Sequence, residues 1–277
     1  MQRRGVILLH LIWLAGLCFL VGVERAAAED RWFEGEAGVT VSHITPELAR
    51  SLAFREACDR ALMAAGVEQS GGTGRLIVED QAGLSDIYAK LSTSLFRGLI
   101  LEVDTLLEKL DAGPPLQYKV RVRARIAQSI GAPDPGFSLE MNLNGESFRQ
   151  GDAIVITLLA TRDCYVTIFD LQTNDTLSIV APNIMLPKVR LKAGEKFQIP
   201  PDRSFELPAE LSPGDSLSSG VLIAVATRED IPFPSISARF SRNLLSFGDG
   251  LLRCNKWRAA IPLNKRTEEH RVYRVVK

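Results

Sequence analysis

The chain is predicted to be α+β: an N-terminal α+β domain of antiparallel strands with two helices, followed by an all-β antiparallel sandwich. Three observations carry this. A capped, alanine-rich helix pattern begins at Thr45, and a strictly alternating strand runs from Tyr118 to Ile126. Beyond Pro133-Asp134-Pro135 come many short apolar runs separated by Pro-, Gly- and Asn-rich turns, the spacing of an antiparallel sandwich. At 277 residues with 46% apolar and 24% charged side chains, the chain is long enough for two cores, since domains commonly run about 100–200 residues. Lys plus Arg equals Asp plus Glu at 33 each, so no global field steers it to a polyanion. Nucleic acid is not an expected partner.

The first residues read as an address. Arg3 and Arg4 precede an apolar run from Val6 to Val23, and Ala26-Ala27-Ala28 supplies a small-x-small cleavage site. Residues 1–28 are therefore expected to be a signal peptide cleaved after Ala28, placing the protein in the periplasm. The alternative is an uncleaved helix anchoring it to the inner membrane, because about 18 apolar residues just span a bilayer. Cleavage removes Arg3, Arg4, Arg25 and Glu24 and leaves 30 basic and 32 acidic residues. It also leaves three cysteines, Cys58, Cys164 and Cys254, enough for one intramolecular disulfide. Cys164 and Cys254 share the second predicted domain and are the expected pair.

Residues 29–127 form the first predicted domain. Trp32 to Ser42 is a strand whose two glycines mark a bulge or bend. Thr45 is a helix N-cap, Pro46 takes the first helical position and Glu47 sits at the positive end of the dipole. Leu48, Leu52, Ala57, Ala61, Leu62 and Ala65 recur at helical spacing and Gly66 ends the helix; its alanine face predicts close packing on a sheet. Gly71-Gly72-Thr73-Gly74-Arg75 lacks the Lys-Ser/Thr pair of a phosphate loop and is read as a turn. A second helix is expected over Leu84 to Phe96. Tyr118, Val120, Val122, Ala124 and Ile126 alternate with Lys119, Arg121, Arg123 and Arg125, a strand with one wet face. Its hairpin partner, Leu99 to Leu110, turns Leu101, Val103, Thr105 and Leu107 inward and sets Glu102, Asp104 and Glu108 beside the cations. The basic stripe is thus a neutralised strand face.

The run W-F-E-G-E-A-G, the helix A-R-S-L-A-F-R-E-A-C-D-R-A-L-M-A-A-G-V, R-G-L-I and Y-K-V-R-V-R-A-R-I resemble the N-terminal domain of flagellar assembly protein T. The resemblance spans Trp32 to Ile126 and implies a periplasmic α+β domain with an assembly role.

Residues 128–136 are a Pro- and Gly-rich linker between two separately packed cores, and residues 137–277 form the sandwich with a basic C-terminal tail. Phe137, Leu139, Met141 and Leu143 alternate with polar residues before the tight turn Asn144-Gly145. Strands follow at Ala153–Ala160, Cys164–Leu171, Thr176–Ala181, Phe197–Ile199, Ser204–Leu207 and Val221–Thr227. F-R-Q-G-D, D-C-Y-V-T-I-F-D, V-A-P-N, A-G-E and A-V-A-T stand in the order of the bacterial domain of unknown function 4384. That resemblance covers Phe137 to Thr227 and implies an Ig-like β module with no assigned reaction.

The tail from Arg239 to Lys277 carries ten basic residues against three acidic. Arg253, Lys256, Arg258, Lys265, Arg266, Arg271 and Arg274 are candidate contacts to anionic lipid or polymer, while Trp257, Ile261, Val272, Tyr273 and Val275 pack as strands. No cofactor, metal or catalytic residue is expected: the mature chain has two histidines, His43 and His270, and no Cys/His cluster at ligand spacing. The expected function is a non-catalytic envelope scaffold that meets an unidentified envelope protein. The alternative is a cell-wall glycan-binding protein or hydrolase using Asp163, Asp170 and Asp175, with Asp152 nearby.

Overall fold

The computed structural model describes residues 31–42, 44–67, 99–127, 129–172, 176–202, 205–211, 216–234 and 245–277. The segments expected to form a signal peptide (1–28), a glycine-rich turn (71–75) and a second helix (84–96), together with His43 and Asp175, lie outside them. No helix among the described residues is long and apolar enough to cross a membrane.

The N-terminal sheet has the order β1 (Arg31–Thr40), β3 (Gln117–Ile126), β2 (Ile100–Asp111), all antiparallel. Helix α1 (Pro46–Ala64) packs on it. As expected, Thr45 caps α1: its side chain accepts the Leu48 N–H at 3.3 Å, and Gly66 follows the helix with φ +80°. The alanine face is buried: Ala49, Ala53, Ala57 and Ala61 all sit in the core. Gly35 is no bulge, for β1 and β3 pair in unbroken register. It is the point where the helix backbone meets the strand. A Cβ there would lie 2.0 Å from the Ala57 carbonyl oxygen, so only glycine permits the approach. The bends fall instead in β2, whose register shifts between Ile100 and Glu102 and between Thr105 and Leu107. Thr105, expected inside, is exposed in consequence.

The C-terminal half is a strand-rich sandwich. One sheet has the order β10 (Lys196–Ile199), β6 (Ile156–Ala160), β4 (Leu139–Leu143). The other has the order β12 (Leu245–Ser246), β8 (Thr176–Ala181), β7 (Cys164–Gln172), β11 (Leu217–Thr227), β13 (Arg266–Val276), β5 (Ser147–Arg149), with β9 (Arg190–Leu191) pairing β7. Only the β13–β5 pair is parallel among these strands. The Asn144 side chain ties the β4 turn by accepting from Val155 N–H at 2.7 Å and donating to the Ala153 carbonyl at 2.9 Å.

Between the two sheets lie Met141, Ile156, Leu158, Val166, Ile168, Leu222 and Ala224. The opposite face of the larger sheet is also covered. Phe169, Leu171, Val221, Ile223 and Val225 belong to one buried cluster with Leu251, Cys254 and Trp257 of helix α2 (Phe247–Ala259), and that cluster runs on into α1 and the N-terminal sheet. The linker therefore divides the chain without dividing the core, in contrast to the two separate cores expected. Strand β11 explains why: every residue from Ser218 to Thr227 is buried, as in a strand sandwiched on both faces. Phe169, Phe233 and Trp257 meet edge to face, with ring centroids 5.0–6.0 Å apart.

Candidate functional site

A buried charged network lies where α2 ends and β13 begins. Helix α2 leaves Asn255 and Arg258 in its last turn, facing inward. A single 3-10 turn, Leu263–Lys265, reverses the chain, and β13 opens with Arg266 and Glu268. Arg258 grips Glu268 with both arms of its fork, Nε to Oε1 at 3.0 Å and Nη2 to Oε2 at 2.5 Å, the planar match that makes arginine–carboxylate pairs strong. Arg266 Nη1 lies 3.3 Å from Glu268 Oε1 and donates to the Arg258 carbonyl at 2.7 Å, so it also caps the negative end of α2. The network continues to the N-terminal sheet. Arg258 Nη1 donates to Asn255 Oδ1 at 2.8 Å, and Asn255 Nδ2 donates to the Ile100 carbonyl at 3.1 Å.

Burial pushes the Glu268 carboxyl up, but Arg258, with help from Arg266 and His270, more than offsets it and holds the group below the usual range. Burial likewise works against the charge on Arg258, and Glu268 overcomes it. For Arg266 burial wins, and its pKa is lowered. Over this floor opens a cleft of about 480 Å³, walled by β13 from Arg266 to Arg271, by Leu263, and by Ser129 and Pro133 of the linker. Arg271 closes one side, paired with Glu269 and donating to the His270 carbonyl at 2.8 Å.

The expected disulfide does not assemble. Cys58, Cys164 and Cys254 are free and buried, and Cys164 belongs to the core between the sheets while Cys254 packs on the far side of the larger sheet. Burial pushes the Cys58 and Cys254 thiols up to about 12 and Cys164 up to about 11, leaving them protonated and inert.

The seven tail cations do not share a surface. Arg258 and Arg266 are buried in the network above; Lys265 pairs with Glu229 at 2.7 Å, Arg271 pairs with Glu269, and Arg253, Lys256 and Arg274 are exposed. Trp257, expected on a strand, lies on α2. The spacing Leu251, Cys254, Trp257, Ile261 was the available helical signal, with Asp249 in the first turn and Lys256 and Arg258 in the last.

The carboxylates near the central strands are engaged. Asp152 accepts the Arg149 N–H at 2.7 Å and Asp163 accepts the Ala193 N–H at 2.9 Å. Asp170 is buried under Tyr273, whose hydroxyl lies 2.9 and 3.0 Å from its two oxygens, and it also accepts from Gln172 Nε2 at 2.9 Å. Burial pushes its carboxyl up to about 6 against those two hydrogen bonds. The Tyr273 ring lies across Gly220, where a Cβ would come within 2.4 Å of it.

The basic strand of the N-terminal sheet is neutralised from both sides. Asp111, Asp104 and Glu102 of β2 pair with Lys119, Arg123 and Arg125 at 2.8, 2.6 and 2.9 Å, and Glu36 of β1 takes Arg121 at 2.8 Å. The β1 contribution was missed in the sequence.

Residues 147–230 match the model of a family described as Domain of unknown function (DUF4384). The match runs from β5 through β11 and leaves out α2 and β13, which supply the charged floor. The match does not extend to residues 32–126, where a resemblance to flagellar assembly protein T is expected. None of the curated proteins is significantly similar to the chain.

Proposed function

We propose that this is a non-catalytic exported envelope protein that serves as a scaffold or protein-interaction module in a cell-envelope assembly. One observation supports it above the rest: the N-terminal sheet and the sandwich share a buried cluster through α1 and α2. Surfaces mounted on one core keep a fixed relation to each other, which suits a part that aligns partners. In this reading residues 1–28 direct export and are removed after Ala28.

Affinity capture of the native protein from envelope extracts, followed by quantitative mass spectrometry, tests the scaffold. The expected result is an envelope protein recovered in stoichiometric amount and lost when Trp257→Ala loosens the shared core. Recovery of no such protein, together with release of soluble fragments when the purified chain is incubated with cell-wall glycan, overturns it. Amino-terminal sequencing of the native protein checks export, with Glu29 the expected first residue.

A further inference from the structure

Arg266 is the group at the floor of the cleft whose charge is least well met. Its side chain is 4% exposed, and its hydrogen-bond and ion-pair partners, the Arg258 carbonyl and Glu268, both lie on Nη1. Its buried Nε has no hydrogen-bond partner. Glu268 supplies one negative charge, and both its oxygens are already held by Arg258. One carboxylate thus faces two buried guanidiniums, and the end of the α2 dipole adds only roughly half a charge beside Arg266.

The walls do not restore the balance. Arg271 and Glu269 cancel each other. The charges lining the cleft are then three guanidiniums against two carboxylates, with the imidazole of His270 beside them. A buried cation that lacks a full counter-charge is costly, and the cost is recovered when an anion arrives. The volume, about 480 Å³, lies within the range of roughly 300–1,000 Å³ common for small-ligand sites, and the mostly polar wall selects a hydrophilic occupant.

We propose that this cleft binds a small oxyanion, a carboxylate or a phosphate, with Arg266 and Arg271 as its charged contacts and the Ser129 hydroxyl as a neutral donor. Guanidinium forks match both groups in two-point geometry. The site stands independently of the export and scaffold reading, since it rests on Arg266 and the cavity alone.

Isothermal calorimetry on the full mature chain, with succinate, inorganic phosphate and chloride at matched ionic strength, tests it. Succinate or phosphate is expected to bind saturably and chloride not; the tighter of the two identifies the ligand class. Arg266→Gln is expected to weaken that binding by about tenfold or more, and Arg271→Gln by several-fold, as the loss of charge-assisted bonds requires. Arg253→Gln, on the exposed side of α2, leaves it unchanged. Should Arg266→Gln fail to fold by circular dichroism, Arg271→Gln decides the matter. Equal heats for all three anions, or saturable binding that Arg271→Gln leaves intact, overturns the proposal.

Discussion

The charged ladder on the N-terminal sheet and the knot at the base of β13 are made of the same groups in opposite surroundings. Arg123 and Asp104 touch at 2.6 Å with side chains 45% and 43% exposed, whereas Arg258 and Glu268 touch at 2.5 Å with 2% and 15% exposed. Water screens the first pair, and such surface bridges contribute about 0–1 kcal/mol. The second pair has lost its water, so its hydrogen bonds must replace a large solvation free energy. Contact distance alone does not separate the two. What separates them is the consequence of taking one partner away.

The largest expected effect is therefore at Glu268. Glu268→Gln leaves Arg258 and Arg266 buried without their carboxylate and should destabilise the fold by about 3–5 kcal/mol in urea unfolding. A loss under about 1 kcal/mol would erase the distinction between the two regions. The pH dependence follows from the direction of the shift. Glu268 is held below its ordinary range in the fold, so its stabilisation is present above the unfolded carboxyl value and fades as pH falls through the folded one. Glu268→Gln should flatten that acid limb.

Asp170 is another buried carboxylate, and its sign is opposite because no cation faces it. Its folded value is about 6 against an ordinary 3.8, so the folded state holds the proton more firmly than the unfolded chain. Stability from this group is then greatest below pH 4 and falls as pH rises to about 6, by about 3 kcal/mol. Asp170→Asn keeps an oxygen for the Tyr273 hydroxyl and removes the charge. It should abolish the slope between pH 4 and 6 and raise the stability measured at pH 7. A wild-type stability that climbs through that window, with Asp170→Asn climbing alike, would place the proton elsewhere.

How much of this was legible depends on whether the signal is local. The Thr45-Pro46-Glu47 cap, the alanine face of α1 and the alternation of Tyr118 to Ile126 are statements about neighbours in sequence, and each is found in the fold. The run Val221–Ala226 in β11 predicts one more strand, though a run apolar at every position already implies cover on both faces. Helix α2 is obscured in the sequence because its arginines and Trp257 sit within a basic tail, which hides the three-to-four spacing of Leu251, Cys254, Trp257 and Ile261. The pairing of Arg258 with Glu268 crosses a turn and has no periodic signature. Composition assigned Arg258 and Arg266 to the surface, where arginine usually belongs. Gly35 is ambiguous in sequence: a glycine in a strand marks a bend or a close approach with equal force, and only the helix overhead decides.

The smallest effect completes the comparison. Asp104→Asn and Arg123→Gln each break a bridge that water surrounds, and each should cost under about 1 kcal/mol, shrinking further as salt is raised from 0.05 to about 0.5 M. Arg123 also lies over the Trp32 ring at 4.6 Å, a contact that contributes about 0.5–1 kcal/mol at an exposed site and that Asp104→Asn leaves intact. Arg123→Gln should therefore cost more than Asp104→Asn, and the excess should persist in high salt while the ion-pair part is screened away. Tryptophan fluorescence in the Asp104→Asn background, with Arg123 present or replaced, separates the two. If both substitutions are equally costly and equally salt-sensitive, the ring adds nothing and the ladder is held by charge alone.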